Sequence, residues 1–350
     1  MKWLAGAFAF FVGVAASGAA TAQTRLFSET TPIHITVSAP LSTLIQRAPR
    51  STAPFPGTVS LNEATPHEFP IQLNARGVTR RIAGICNFPP LRIDFNGQAT
   101  NATLFEGQNK LKLVDPCRQG ANYEQLVVLE YLSYRLYNVI TPVSYRVRAV
   151  QVTFHDTDGR RRDASNFGYL IEDIDDVAHR NHLRAMNVLS HARDASQLDG
   201  VAASRFALFE YMISNLDWDM VAAHAGEECC HNSKLLAATA EATENLIPVP
   251  YDFDYSGLVG APYAVAPEGI RVPNVRTRYF RGYCRYNDQL TGVIAEFRQH
   301  QDGLFAVIDN EPALQPGRRQ AAHAYLQDFF NTLANADAVR RNLTGHCRGG

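Results

Sequence analysis

The chain has 350 residues, with 33 lysines and arginines against 34 aspartates and glutamates, a formal net charge of -1. That balance excludes bulk attraction to nucleic acid or to an anionic membrane surface. The length suits one large domain or two lobes.

Met1-Lys2, an apolar run from Leu4 to Val14 and the small residues Ala20-Thr21-Ala22 read as a signal peptide over residues 1–22. The run is too short for a good membrane span, so the expectation is an exported chain without stable membrane insertion, periplasmic or extracellular. Six cysteines fit that compartment. Cys86–Cys117 and Cys284–Cys347 are the expected pairs, because each closes a plausible unit. Cys229 and Cys230 are neighbours, and a bond between neighbours is strained, so pairing elsewhere stays open. Beyond Lys2 the only lysines are Lys110, Lys112 and Lys234. A compact point charge suits a phosphate, although chance survival of three lysines accounts for them equally well.

From Ile33 to about Asp94 short alternating runs predict strands, and "KLKLV" (Lys110 to Val114) continues them. Alternation puts Lys110 and Lys112 on one face. Leu126, Leu129, Leu132, Leu136 and Val139 recur at helical spacing and predict a helix over 122–139. Strands over 143–154 and 166–173 follow, separated by a turn at Asp156–Gly159. Gly168–Asp173 is the expected hinge between lobes. Asp199 is the expected N-cap of a helix ending at Ser214, and two further helices lie near 290–310 and 317–336.

Four constellations carry chemistry. Asp252-Phe253-Asp254 places two carboxylates on one side of an extended segment, the donor type hard cations need; a solvated turn is the plainer reading. "NLDWDM" puts Asn215, Asp217 and Asp219 after an apolar helix, against its macrodipole. "HNSKLL" brings Asn232 and Lys234 into an apolar run; a zinc site from His224, Cys229, Cys230 and His231 is the rival there. Finally, a strand lysine precedes a helix bearing Glu124 and Glu130, the order in which a kinase positions ATP phosphates. A surface ion pair would look the same.

The succession "ARGVTR" (75–80), "KLKLV", the helix and strand over 123–150, "FGYLIEDID" (167–175), "NLDWDM", "HNSKLL" and "IPVPYDFDYSG" (247–257) resembles the CotH kinase family of secreted, atypical kinases. The resemblance covers roughly residues 76–257. It implies an α+β, two-lobed, protein-kinase-like fold. Residues 23–172 would form a β-rich N-lobe with one helix, and residues 173–350 a mainly helical C-lobe. It implies transfer of the ATP γ-phosphoryl to a protein Ser/Thr hydroxyl or another envelope acceptor, with Mg²⁺ or Mn²⁺. Asp217 then looks like the catalytic aspartate, and Asn232, Asp252 and Asp254 like the metal ligands. Lys112, held by Glu124, would meet the nucleotide with Lys110, and Glu172 would face the adenine. The chain departs from the family in three places. "CNFPPLRIDF" replaces a P-K-K-type stretch, so the nucleotide lysine's function passes to Arg92, Lys110 or Lys112, or is lost. Tyr251 stands for a tryptophan, and an insertion with Cys229 and Cys230 separates Asp217 from Asn232. The alternatives are a catalytically degenerate binding protein, a carboxylate-dependent envelope hydrolase using Asp217 and Asp252, and a structural protein with a Ca²⁺ site.

Overall fold

A computed structural model describes residues 24–62, 67–95, 97, 100–186, 194–223 and 228–349. The expected signal peptide therefore lies outside the described residues, as does His224.

Strand β1 (Ile33–Ala39) leads through helix α1 (Leu41–Arg47) to β2 (Phe55–Leu61), β3 (His67–Ala75), β4 (Leu91–Asp94) and β5 (Lys110–Val114). Each pairs antiparallel with the next in this series of strands. Helix α2 (Ala121–Ile140) then delivers β6 (Val147–Asp156) and β7 (Ala164–Ile171). β7 inserts between β5 and β6, and β6 returns to pair with β1 in parallel, Ile33 opposite Val150. The seven strands thus close into a mixed barrel in the order β1-β2-β3-β4-β5-β7-β6.

This closure overturns the expected two-lobed kinase-like fold. The class is α+β as expected, but a barrel whose first strand is sealed by its sixth is not the β-rich lobe of that architecture. Of the expected hinge segment Gly168–Asp173, Gly168 to Ile171 are ladder residues paired to β6, and from Tyr169 also to β5. Gly168 is needed there, since a Cβ would sit 2.7 Å from the Val114 carbonyl oxygen.

Alternation along the barrel strands produces two apolar cores. Leu111, Leu113, Val150, Val152 and Leu170 turn into the barrel with Ile35, Val37, Leu73 and Ile93. Val114, Val147, Ala149, Tyr169 and Ile171 turn outward and join α2 in the second core. That core is completed by α3 (Ile174–Arg180), α4 (Gly200–Ile213), α5 (Asn287–Gln299), α6 (Gln301–Asp309) and α7 (Pro316–Ala334), followed by the short α8 (Ala336–Val339). Because α2 is covered on both sides, Val127 to Tyr134 are all buried, and the simple stripe expected from leucine spacing is broader than the sequence suggests. Asp199 caps α4 as expected, accepting from the Ala202 N–H.

A second sheet of three strands, β8 (Arg184–Ala185), β9 (Ser233–Ala237) and β10 (Ile247–Pro250), runs in the order β10-β9-β8. Disulfides join Cys86 to Cys117 and Cys284 to Cys347, the expected pairs, and Cys229 to Cys230. Neighbouring cysteines do pair, contrary to the alternative of a partner elsewhere. Their bond removes both thiolates from the rival zinc reading. No helix among the described residues is long and apolar enough to cross a membrane.

Candidate functional site

A cleft of about 530 Å³ lies where the outer face of β4 and β5 meets the ends of β9 and β10. Its barrel-side wall is basic. After β3 the chain turns at Gly77, whose φ of +74° favours glycine, and the turn carries Arg76 and Arg80 into the wall. In β4 and β5 the apolar residues Leu91, Ile93, Leu111 and Leu113 fill the barrel, so Arg92 and Lys112 emerge on the cleft side. They stand directly opposite each other in register. Like charges at opposed positions repel, and a bound anion would relieve that cost. The Lys112 ammonium lies 5.2 Å from the Tyr251 ring centroid and 5.9 Å from that of Tyr145. Burial, then Arg76 and Lys234, push its pKa down to about 8 against the pull of Asp173 and Asp252.

The facing floor is acidic. α4 ends at Ser214 in the left-handed conformation, and the chain turns into Asn215-Leu216-Asp217. Asn215 Oδ1 accepts from the Asp217 N–H at 3.1 Å. Asp217 Oδ1 meets His231 Nε2 at 2.9 Å, while Asn232 Nδ2 donates to the Asp217 carbonyl at 2.6 Å and to Oδ2 at 3.1 Å. The pairing of Ser233 with Pro250 explains why Asn232 and Asp252 line one cleft: one precedes β9, the other lies beyond the end of β10, at the same end of the ladder. Asn232 has φ +50° and Asp252 φ +67°. Two non-glycine residues held there together cost energy, and such outliers cluster at functional sites. The Asp252 N–H donates to the Tyr134 hydroxyl at 2.9 Å, which ties this turn to α2.

Behind the floor is a buried cluster around Arg80, whose guanidinium donates to the Asp115 carbonyl. Burial raises Glu130 to about 7 and Asp115 to about 8, with Arg80 opposing in both. Burial, then Asp252 and Glu130, hold Asp254 well above the carboxylate range, opposed by Arg80 and by the Tyr263 hydroxyl, which donates to Oδ2 at 3.0 Å. Burial opposes the charge of Arg80, but Tyr263, Glu130, Asp254 and Asp115 outweigh it and keep the guanidinium firmly protonated.

The donor set can be tested against a divalent cation. Among the described residues no three His, Cys, Asp or Glu side chains group into a metal site. Asp252 and Asp254 with Asn232 Oδ1, the amide atom left over when Nδ2 serves Asp217, give an all-oxygen set. Mg²⁺ keeps several waters and takes one or two carboxylates plus substrate phosphates. The residues fit such an ion when a phosphate shares it, and not as a self-sufficient cage.

Five of the sequence-derived candidates, Lys112, Asp217, Asn232, Asp252 and Asp254, therefore line one cleft. Three do not. Lys110 is exposed at the start of β5, opposite Asp94. Glu124 does not hold Lys112; its Oε1 accepts from the Phe167 N–H at 2.6 Å. Glu172 is 1 % exposed, paired with Arg180 at 2.9 Å, and accepts from the Arg146 N–H, so it lies outside the lining of the cleft. Arg76, Arg80 and His231 also line the cleft; the sequence offered the two arginines only within the "ARGVTR" motif and His231 only in the rival zinc set. Glu130, not Glu124, is the α2 acid nearest the cleft cluster, and its signal was a carboxylate inside the apolar run Leu126–Leu136. No protein-family model matches the chain, and no curated protein matches it.

Proposed function

We propose that the cleft binds the triphosphate of ATP with a divalent cation and transfers the γ-phosphoryl to a hydroxyl acceptor, a protein Ser/Thr or an envelope polymer. One observation carries this reading. A single cleft sets five cations, Arg76, Arg80, Arg92, Lys112 and Lys234, against the oxygen donors Asp217, Asn232, Asp252 and Asp254. The cations match a polyphosphate, and the oxygens match the ion that accompanies it.

Arg92 and Lys112 would hold the phosphates, relieving their mutual repulsion, with Arg76 and Arg80 at the turn beside them. Asp252, Asp254 and Asn232 would hold the cation, which when bound neutralises charge on the phosphates. Asp217 would orient the acceptor hydroxyl and take its proton; His231 and Asn232 fix its carboxylate in place. Catalysis would then consist of positioning and electrostatics. The resemblance to CotH kinases supports the same chemistry and, with the three disulfides, an exported protein.

A second reading has its own support. Both Asp217 oxygens are already engaged by His231 and Asn232, which suits a degenerate protein that binds the triphosphate without turnover.

The test is thermal unfolding with ATP plus Mg²⁺ or Mn²⁺, beside Asp252→Ala. At about 100 times Kd the ligand stabilises by about 2.7 kcal/mol. The expected result is a rise in midpoint that needs both nucleotide and metal and is lost in the variant. No shift at millimolar ATP would sink the proposal, and a shift without phosphoryl transfer would select the second reading.

A further inference from the structure

The loop that carries Asp217 has no ladder of its own. It leaves α4 through Ser214 and is braced by side chains from the far end of the chain. Arg281 donates to the carbonyls of Leu216 and Trp218, both at 2.6 Å, and lies 4.6 Å from the Trp218 ring centroid. Arg348 comes from the other side. It donates to Asp219 Oδ2 at 3.0 Å and to the Tyr283 hydroxyl at 2.7 Å, and lies 5.3 Å from the Trp218 centroid.

The contact continues to the site. Asp219 Oδ1 accepts from the N–H groups of Val221 and Ala222. The Asp219 N–H donates to the His231 carbonyl at 2.9 Å, and His231 Nε2 meets Asp217 Oδ1. Arg348 is therefore two residues removed from the carboxylate at the cleft floor. Its own place is set by backbone: its N–H donates to Gly282, and its carbonyl accepts from the Cys284 N–H, both at 2.9 Å. The adjoining Cys347 is bonded to Cys284.

We propose that Arg348 is a positioning residue for Asp217 and His231, and that the Cys284–Cys347 disulfide holds it in that role. An oxidised bond keeps the tail against residues 282–284. When the bond is reduced by a thiol reductant, two electrons and two protons convert it to two thiols. The tail then keeps its hydrogen bonds and ring contacts but loses its covalent tie, and the brace on Asp219 loosens. The catalytic consequence rests on the phosphoryl-transfer reading; the geometric one does not. Small displacements of a catalytic group are costly, about 10²-fold for 1 Å.

The experiment uses the chain with Trp3→Phe, which leaves Trp218 as its single tryptophan. In this background Arg348→Ala, Arg348→Lys and the Cys284→Ser/Cys347→Ser pair are compared for Trp218 emission, acrylamide quenching and steady-state kinetics with ATP and Mg²⁺. Arg348→Ala should shift emission to the red and raise quenching. It should lower kcat about ten- to a hundredfold while KM for ATP stays within about twofold. Arg348→Lys, which keeps the charge but loses the planar stacking, should recover part of both. The serine pair should move in the same direction as Arg348→Ala. Unchanged emission in Arg348→Ala, or changed emission with unchanged kcat, overturns the proposal. If the parent chain shows no turnover, the phosphoryl-transfer reading fails, and emission alone decides the brace. A variant that fails to fold is replaced by Arg348→Lys, for which unaltered emission, quenching and kcat would count against it.

Discussion

Lys112 is held in the cleft at a cost, and replacing it by methionine exposes that cost. The ammonium is partly covered, faces Arg92 across the ladder and has Arg76 and Lys234 nearby. Its pKa falls from 10.5 to about 8. A drop of that size corresponds to about 3 kcal/mol, and access of water to the cleft discounts it to about 1–3 kcal/mol. The sign follows from proton counting. Between pH 8 and 10.5 the unfolded chain holds a proton on this lysine that the folded chain has given up, so its unfavourable contribution fades as pH rises through that window. Below pH 8 the penalty is fully present. Lys112→Met should therefore stabilise the fold by about 1–3 kcal/mol at pH 7, with the gain shrinking toward zero near pH 10.5. Urea denaturation at pH 7 and pH 9.5 measures the difference, free of other titrations because both chains share them. If the cleft binds a triphosphate as proposed, the same variant should also lose any stabilisation by ATP and metal, because a cation lining that cleft is gone. A variant that is less stable at pH 7, or whose advantage does not change with pH, would refute the account of Lys112 as a desolvated cation kept for an anion.

Two other predictions separate Glu172, outside the cleft, from Asp254, which lines it. Glu172→Ala should cost about 3–5 kcal/mol, because it removes the carboxylate that balances the Arg180 charge and leaves that guanidinium only the Pro142 and Ser144 carbonyls, yet ATP affinity measured well below the unfolding midpoint should not change. Weakened binding there would restore Glu172 to the site. Asp254 is held above the usual range, so the fold keeps a proton that the unfolded chain releases, and its contribution worsens as pH rises above the ordinary value of 3.8. Asp254→Asn should accordingly be more stable than the parent at pH 7.5, by a margin that narrows at pH 5, while losing the metal-dependent response to ATP. Equal margins at both pH values in urea titrations would contradict the burial argument.

The Asp217, Asn232 and Asp252 segments were legible because each breaks a local rule. Acids after α4 oppose its dipole, and paired aspartates end an apolar strand. Such conflicts survive only where something else compensates them. The elements themselves were legible through periodicity, most clearly β5, α2 and α4. Lys112 was legible as a cleft residue only through the alternation that also buries Leu111 and Leu113. Its expected partner was not. Glu124 and Glu130 differ by less than two helical turns, and which one faces the cleft depends on how α2 is rotated between barrel and helices, a matter of packing.

Tertiary structure alone decided the closure of the barrel. Pairing Ile33 with Val150 joins segments whose local patterns read the same in an open sheet or a closed one. It also decided that Glu172 faces Arg180 and not the cleft, and that Arg348, at the end of the chain, touches the loop of Asp217. Periodicity reports which way a side chain points relative to its own strand or helix. Which distant element meets it there is set by long-range packing, for which a local pattern carries no signal.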